Sequence, residues 1–216
     1  MAVMSTLPPA AAYSQRSREI EPFHVMSLLA RAQALEQQGH DVIHLEIGEP
    51  DFTTAAPVVR AGQQALEAGL TRYTAARGLP ALREAIAGFY RSHYRLEIDP
   101  DRILVTPGGS GALLLASSLL VDPGRHWLLA DPGYPCNRHF LRLVEGAAQL
   151  VPVDARSAYQ LTPEHIGAHW NAQSVGALVA SPANPTGTVL SADELAALSQ
   201  ALRERGGHLV VDEIYH

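Results

Sequence analysis

The sequence predicts an α/β protein, a three-layer α/β/α arrangement in which helices cover both faces of a mostly parallel sheet. Three observations predict it. From Arg102 onward short apolar runs alternate with stretches of helical spacing. The runs lack the polar alternation of a strand with one wet face. The helical stretches that separate the runs are amphipathic.

Taken in order, the opening segment to about Tyr13 is rich in alanine and proline and reads as a mobile arm. Over residues 21–38, Phe23, Met26, Leu29, Ala30 and Leu35 recur at helical spacing, and Gly39 ends the run. Val42-Ile43-His44-Leu45 reads as a short strand closed by the turn Gly48-Glu49-Pro50-Asp51. Helical patterns follow at 57–68 and 79–95, joined by the loop 71–78. Strands are then expected at 103–105, 127–130, 149–153, 175–179 and 208–211. Helices are expected at 110–120, 137–144, near 163–168 and at 192–204, the last capped by Ser191.

Composition narrows the function classes. The 216 residues are 47% hydrophobic and 18% charged, too apolar for a disordered chain. A net charge of −6 supplies no basic footprint for nucleic acid or an anionic membrane. The apolar stretch at 112–121 is interrupted by Ser117 and Ser118 and is too short to span a bilayer. The first twenty residues lack the pattern of a signal peptide. Cys136 is the sole cysteine, which fits a reducing, cytoplasmic setting. His165 and His169 have metal-ligand spacing but no acidic partner in a zinc-enzyme pattern, and Cys136-x-x-His139 lacks a second pair, so no metal site is expected. All sixteen basic residues are arginine. No lysine amine is available within this sequence.

In parallel sheets ligands sit beyond the carboxyl ends of the strands. Four segments at such places carry unusual chemistry. Gly108-Gly109-Ser110-Gly111 opens a helix, where small residues let an anion approach backbone N–H groups and Ser110 adds a hydroxyl. The same glycines serve equally as a tight packing turn. A dinucleotide-binding turn is the rival reading from Gly109, Gly111 and Asp131, but Leu114 stands where its third glycine belongs. Asp131-Pro132-Gly133-Tyr134-Pro135 is a rigid turn that presents Tyr134 to a planar ligand, or simply a packed aromatic. Asn184, in a loop fixed by proline and glycine, is either an amide aimed outward or an Asx turn. Asp212 ends an apolar strand, where a carboxylate needs a positive partner such as a protonated pyridine nitrogen, or an ion pair. Tyr215 follows within reach of the same ligand. In chain order these supply a phosphate seat, a stacking ring, an amide and an acid, which together suit one phosphorylated aromatic cofactor.

The chain from about Glu21 onward resembles the class I/II aminotransferases of the fold-type-I pyridoxal-phosphate enzymes. The carriers are Leu45-Glu46-Ile47-Gly48-Glu49-Pro50-Asp51-Phe52, Tyr73-Thr74 through Gly78-Leu79-Pro80-Ala81-Leu82-Arg83, and Thr106-Pro107-Gly108-Gly109-Ser110-Gly111-Ala112-Leu113. Asp131-Pro132-Gly133-Tyr134-Pro135, Asn184-Pro185-Thr186-Gly187 and Asp212-Glu213-Ile214-Tyr215 complete the set. The resemblance implies that Gly109, Ser110 and Gly111 hold the phosphate of pyridoxal phosphate and that Tyr134 stacks on its ring. Asn184 and Tyr215 would bond the phenolic oxygen, and Asp212 would pair with the ring nitrogen. Gly48 would lie by the substrate carboxylate, and Tyr73 would reach the phosphate of a neighbouring subunit in a homodimer. It also implies residues 1–45 as an N-terminal arm and helix of the small domain or partner contact, and 46–216 as an incomplete cofactor-binding large domain. The substrates would be an amino acid and a 2-oxo acid.

In that family a Schiff-base lysine and a carboxylate-gripping arginine lie beyond the Asp-x-x-Tyr motif, and this chain ends at His216 before either. The expectation is a fragment, inactive alone, of an enzyme that is active when intact. The motifs leave open a carbon–sulfur lyase or synthase with the same cofactor grip, and a non-catalytic domain of the same fold.

Overall fold

The computed structural model describes residues 13–216, so the expected arm lies outside the described residues apart from Tyr13. In chain order the helices and strands are α1 (Gln15–Glu19), α2 (His24–Glu36), α3 (Ala56–Glu67), α4 (Pro80–Tyr94), α5 (Gly108–Leu120), β1 (His126–Asp131), α6 (Asn137–Leu143), β2 (Ala147–Pro152), α7 (Pro163–His169), β3 (Ser174–Ala180), α8 (Ala192–Arg203) and β4 (His208–Asp212). They form two compact units. One is His24–Pro107; the other joins Gly108–His216 to the described residues from Tyr13 to Phe23.

The His24–Pro107 unit is helical. Pro57 and Pro80 stand in the first turns of α3 and α4, where a missing N–H costs nothing. Arg83 of α4 is buried, and its Nη1 donates to the Pro100 carbonyl at 2.8 Å and to Asp101 Oδ1 at 3.0 Å. That fastens α4 to the 3-10 turn Pro100–Arg102. Donation from Arg83, with the Arg77 charge beside it, holds the Asp101 carboxyl below its ordinary range.

Two strand expectations fail in this unit. Residues 42–45 and 103–105 have no strand pairing among the described residues, and Ile43, Leu45 and Leu104 are exposed. A short apolar run signals burial in general; it becomes a strand only where a partner ladder satisfies its N–H and C=O groups. Here Val105 N–H donates to the Arg77 carbonyl in a loop contact instead. The Gly108 helix start therefore follows irregular chain rather than a strand.

In the other unit the remaining strands appear as expected. The sheet is four-stranded and parallel, in the order β2-β1-β3-β4. Alternate side chains of the central strands feed two separate cores. Leu128, Ala177 and Val179 pack with Ile166 of α7 and with Leu198, Ala201 and Leu202 of α8. Trp127, Leu129 and Leu178 pack with Leu113 of α5 and Leu141 of α6. Helices thus cover both faces, giving the three expected layers. Each fully buried leucine contributes roughly 1.5–3 kcal/mol, and Leu128, Leu141, Leu198 and Leu202 are all essentially inaccessible.

Local signals set the helix starts. Ser191 Oγ accepts from Glu194 N–H at 3.3 Å while Glu194 Oε2 accepts from Ser191 N–H at 2.8 Å, a capping box. Thr162 and His165 do the same for α7, with Thr162 Oγ1 accepting from His165 N–H at 3.4 Å and His165 Nδ1 accepting from Thr162 N–H at 3.2 Å. Helix α1, unforeseen in the sequence, and the residues just after it are tied to α6 and the turn that follows α6 by the ion pairs Arg16–Glu145, Glu19–Arg142 and Glu21–Arg138.

Candidate functional site at the strand switch point

The chain leaves β1 for β2 on one side and later returns to place β3 on the other. Between the carboxyl ends of β1 and β3 the outgoing loops diverge, which opens a crevice in any sheet of this kind. A cleft of about 160 Å³ lies there, with Asp131, Tyr134, Asn137, Tyr159, Gln160 and Asn184 among its lining residues.

The turn after β1 carries Tyr134. An added Cβ on Gly133 would meet the Ala130 carbonyl oxygen at 2.5 Å, so the turn closes this tightly only with glycine. The Tyr134 ring, half-buried, forms a T-shaped pair with Phe23 at a centroid distance of 6.0 Å. A hydrogen bond with the Cys136 side chain, burial, and the nearby Tyr215 and Asp212 push its phenol up to about 12. At ordinary pH it is a neutral aromatic face. Asn137, nine-tenths buried in the cleft wall, has a side-chain oxygen without a partner among the described residues.

The loop after β3 carries Asn184, and its Nδ2 donates to the Tyr215 hydroxyl at 3.2 Å. Ser181 at the loop's start is buried. Its N–H donates to the Asp212 carbonyl at 3.0 Å, and its Oγ accepts from Leu190 N–H at 2.9 Å. The β3 loop and the end of β4 are thereby cross-tied. Asp212 is half-buried, and its Oδ1 accepts from Ile214 N–H at 3.1 Å.

Helix α5 brings the glycine segment to the same end of the sheet. Gly108 has φ 69°, a left-handed conformation that favours glycine, and Gly109 lies 3.7 Å (from an added Cβ) from Ile214 Cδ1. Gly109, Ser110 and Gly111 lie in the first turn of α5, where N–H groups point out of the helix, and Ser110 is exposed. Tyr134, Asn184, Asp212, Tyr215 and the Gly109–Ser110–Gly111 helix start thus share one end of one unit. Gly48 and Tyr73 belong to the other unit, where both are exposed.

The residues suit a phosphorylated planar cation. They offer an anion seat at a helix start, a neutral ring face, an amide–phenol donor pair and a carboxylate. Sequence reasoning missed Phe23 as a neighbour of Tyr134, because its spacing reads as helix face, and missed Gln160, which belongs to no motif. A buried glutamine leaves no signal in one sequence.

A family model described as aminotransferase class I and II matches residues 40–216. A (5-formylfuran-3-yl)methyl phosphate transaminase from Methanocaldococcus jannaschii is 37% identical, over 94% of this chain and 52% of that protein. A valine–pyruvate aminotransferase from Mycobacterium tuberculosis is 34% identical, over 91% of this chain and 50% of that protein. The solved aspartate aminotransferase from Thermus thermophilus with maleate superposes with a TM-score of 0.88 at 32% identity, covering 94% of this chain and 53% of that one. The chain spans about half the length of the curated relatives it matches.

Proposed function

Since the chain belongs to the class I and II aminotransferases, we propose that it is the cofactor-binding part of a pyridoxal-phosphate-dependent transferase that moves an amino group between an amino acid and a 2-oxo acid. The observation that carries the reading is the meeting of Tyr134, Asp212 and the Asn184–Tyr215 pair at the switch point beside the α5 start.

Bound there, pyridoxal phosphate would supply an electron sink for charge developing at a substrate carbon. The residues here bind and orient it. Gly109, Ser110 and Gly111 seat the phosphate against the α5 N-terminus, where backbone N–H groups and the helix dipole favour an anion. Asp212 pairs with the ring nitrogen and keeps its proton in place, because a carboxylate stabilises the cationic form. Tyr134 covers one ring face, which its neutral phenol suits. Asn184 and Tyr215 donate to the phenolic oxygen and favour its ionised state. Tyr73 would serve the phosphate of a partner subunit in a homodimer, and Gly48 would let a substrate carboxylate approach the backbone. Residues 1–45 would then be the arm and small-domain contact, and 46–216 the large domain. The lone Cys136 supports a cytoplasmic setting. No lysine occurs in these residues, and on this reading the amine that carries protons in this chemistry would lie outside them.

The test is uptake of pyridoxal phosphate by the full-length protein, followed by its visible absorption, and amino transfer measured on a panel of amino acids with 2-oxo acids. Asp212→Ala should weaken uptake and abolish transfer. Uptake of a nicotinamide dinucleotide in place of pyridoxal phosphate would overturn the proposal.

A further inference from the structure

Gln160 is 4% exposed, and it lies between β2 and α7, outside every motif. Burial of an amide is tolerated only where its hydrogen bonds are made. Gln160 makes them to one target. Its Nε2 donates to the Ala180 carbonyl at 3.0 Å, to the Thr188 carbonyl at 3.3 Å and to Thr188 Oγ1 at 3.2 Å. Ala180 ends β3 and Thr188 lies on the far side of the loop, so one side chain grips both ends of the segment that bears Asn184. Inside that grip Ala183 N–H donates to the Thr188 carbonyl at 2.9 Å, and Gly187 N–H donates to the Ala183 carbonyl at 2.8 Å.

A second observation concerns how Gln160 is delivered. The two residues before it, Ala158 and Tyr159, both take left-handed backbone conformations, with φ 49° and 55°. Neither is glycine, and such conformations persist only where the surroundings over-determine them. Tyr159 N–H donates to the Asp154 carbonyl at 2.8 Å, closing the turn that aims Gln160 inward.

We propose that Gln160 is a positioning residue for Asn184: it locks the loop so that the Asn184 amide stays where it meets Tyr215. The inference rests on the pyridoxal-phosphate reading for the ligand that this amide serves. Asn184 stabilises the ionised phenolic oxygen only if its N–H is held in place, so loosening the loop forfeits part of that donation.

The test uses full-length protein loaded with pyridoxal phosphate, and the variants Gln160→Leu, Asn184→Ala and their combination. Two quantities are read: hydrogen exchange at the Ala183 and Gly187 amides, and the pH midpoint of the visible absorption of the bound cofactor. Gln160→Leu should speed exchange at both amides and raise the midpoint by about half a unit to one unit, the equivalent of one weakened hydrogen bond. In the Asn184→Ala background it should add no further shift, because coupled residues are non-additive. Gln160→Met, closer to the native side-chain length, is read the same way if the leucine variant does not fold. A midpoint that does not move, or a shift that persists in full without the Asn184 amide, overturns the role of Gln160. A wild type that takes up no pyridoxal phosphate overturns the underlying reading instead.

Discussion

Replacing Gly133 by alanine tests how the Tyr134 turn is built. The new Cβ would stand 2.5 Å from the Ala130 carbonyl oxygen, a backbone atom that no side-chain rotation can move away. Cβ contacts below about 3.0 Å are essentially unknown, so something shifts by roughly half an ångström. Strand β1 is held by β2 on one side and β3 on the other, so the turn gives way. Overpacking of this kind costs about 1–3 kcal/mol of stability. The displaced ring loses part of a stacking contact worth about 0.5–1.5 kcal/mol, which is roughly a twofold to tenfold loss of affinity. Equilibrium titration with pyridoxal phosphate and urea unfolding of the full-length protein read the two effects. Gly167→Ala is the control, since its Cβ meets only Arg205 Nη2 at an ordinary 3.6 Å and a helix favours alanine. Wild-type affinity and an unchanged urea midpoint in Gly133→Ala would refute the account of the turn.

Other perturbations have outcomes as definite. Leu202→Ala, at a fully inaccessible position between α8 and the sheet, should lower unfolding free energy by about 2–5 kcal/mol in urea titrations. Ser191→Ala removes one half of the α8 capping box and should cost about 1 kcal/mol by the same measurement. Arg83→Met should be less stable than wild type near neutral pH. The Asp101 carboxyl is depressed in the folded state, so its stabilising effect is present above the ordinary carboxylate range and is lost as pH falls through the depressed value; urea midpoints across acid pH should therefore fall less steeply in Arg83→Met. Arg142→Gln breaks an exposed pair with Glu19 and should leave the urea midpoint nearly unchanged, at low or high salt.

The sequence made the large unit legible because its strands are bracketed by partners. The apolar runs at 127–130, 149–153, 175–179 and 208–211 pair side by side, and their helices fall within a residue or two of the expected bounds. The runs at 42–45 and 103–105 look the same on paper. They differ only in having no neighbouring strand among the described residues, and that is tertiary information. The positions of the candidate site residues were legible where a residue type marks a strand end or a helix start, as with Asp212 at the end of β4 and the glycines that open α5. Gln160 was invisible because its partners are two carbonyls and a hydroxyl some 20 and 28 residues away. Helix α1 was missed because it is five residues long and buries nothing; ion pairs hold it.

Strand β1 is a shared wall between two rooms. Leu128 faces one core and Leu129 the other, with Trp127 beside the second. Inserting or deleting a single residue within it would turn the side chains beyond the change to the wrong room and alter how the strand enters the Tyr134 turn. The strand itself is therefore fixed in parity, and with it the direction from which any ligand is met.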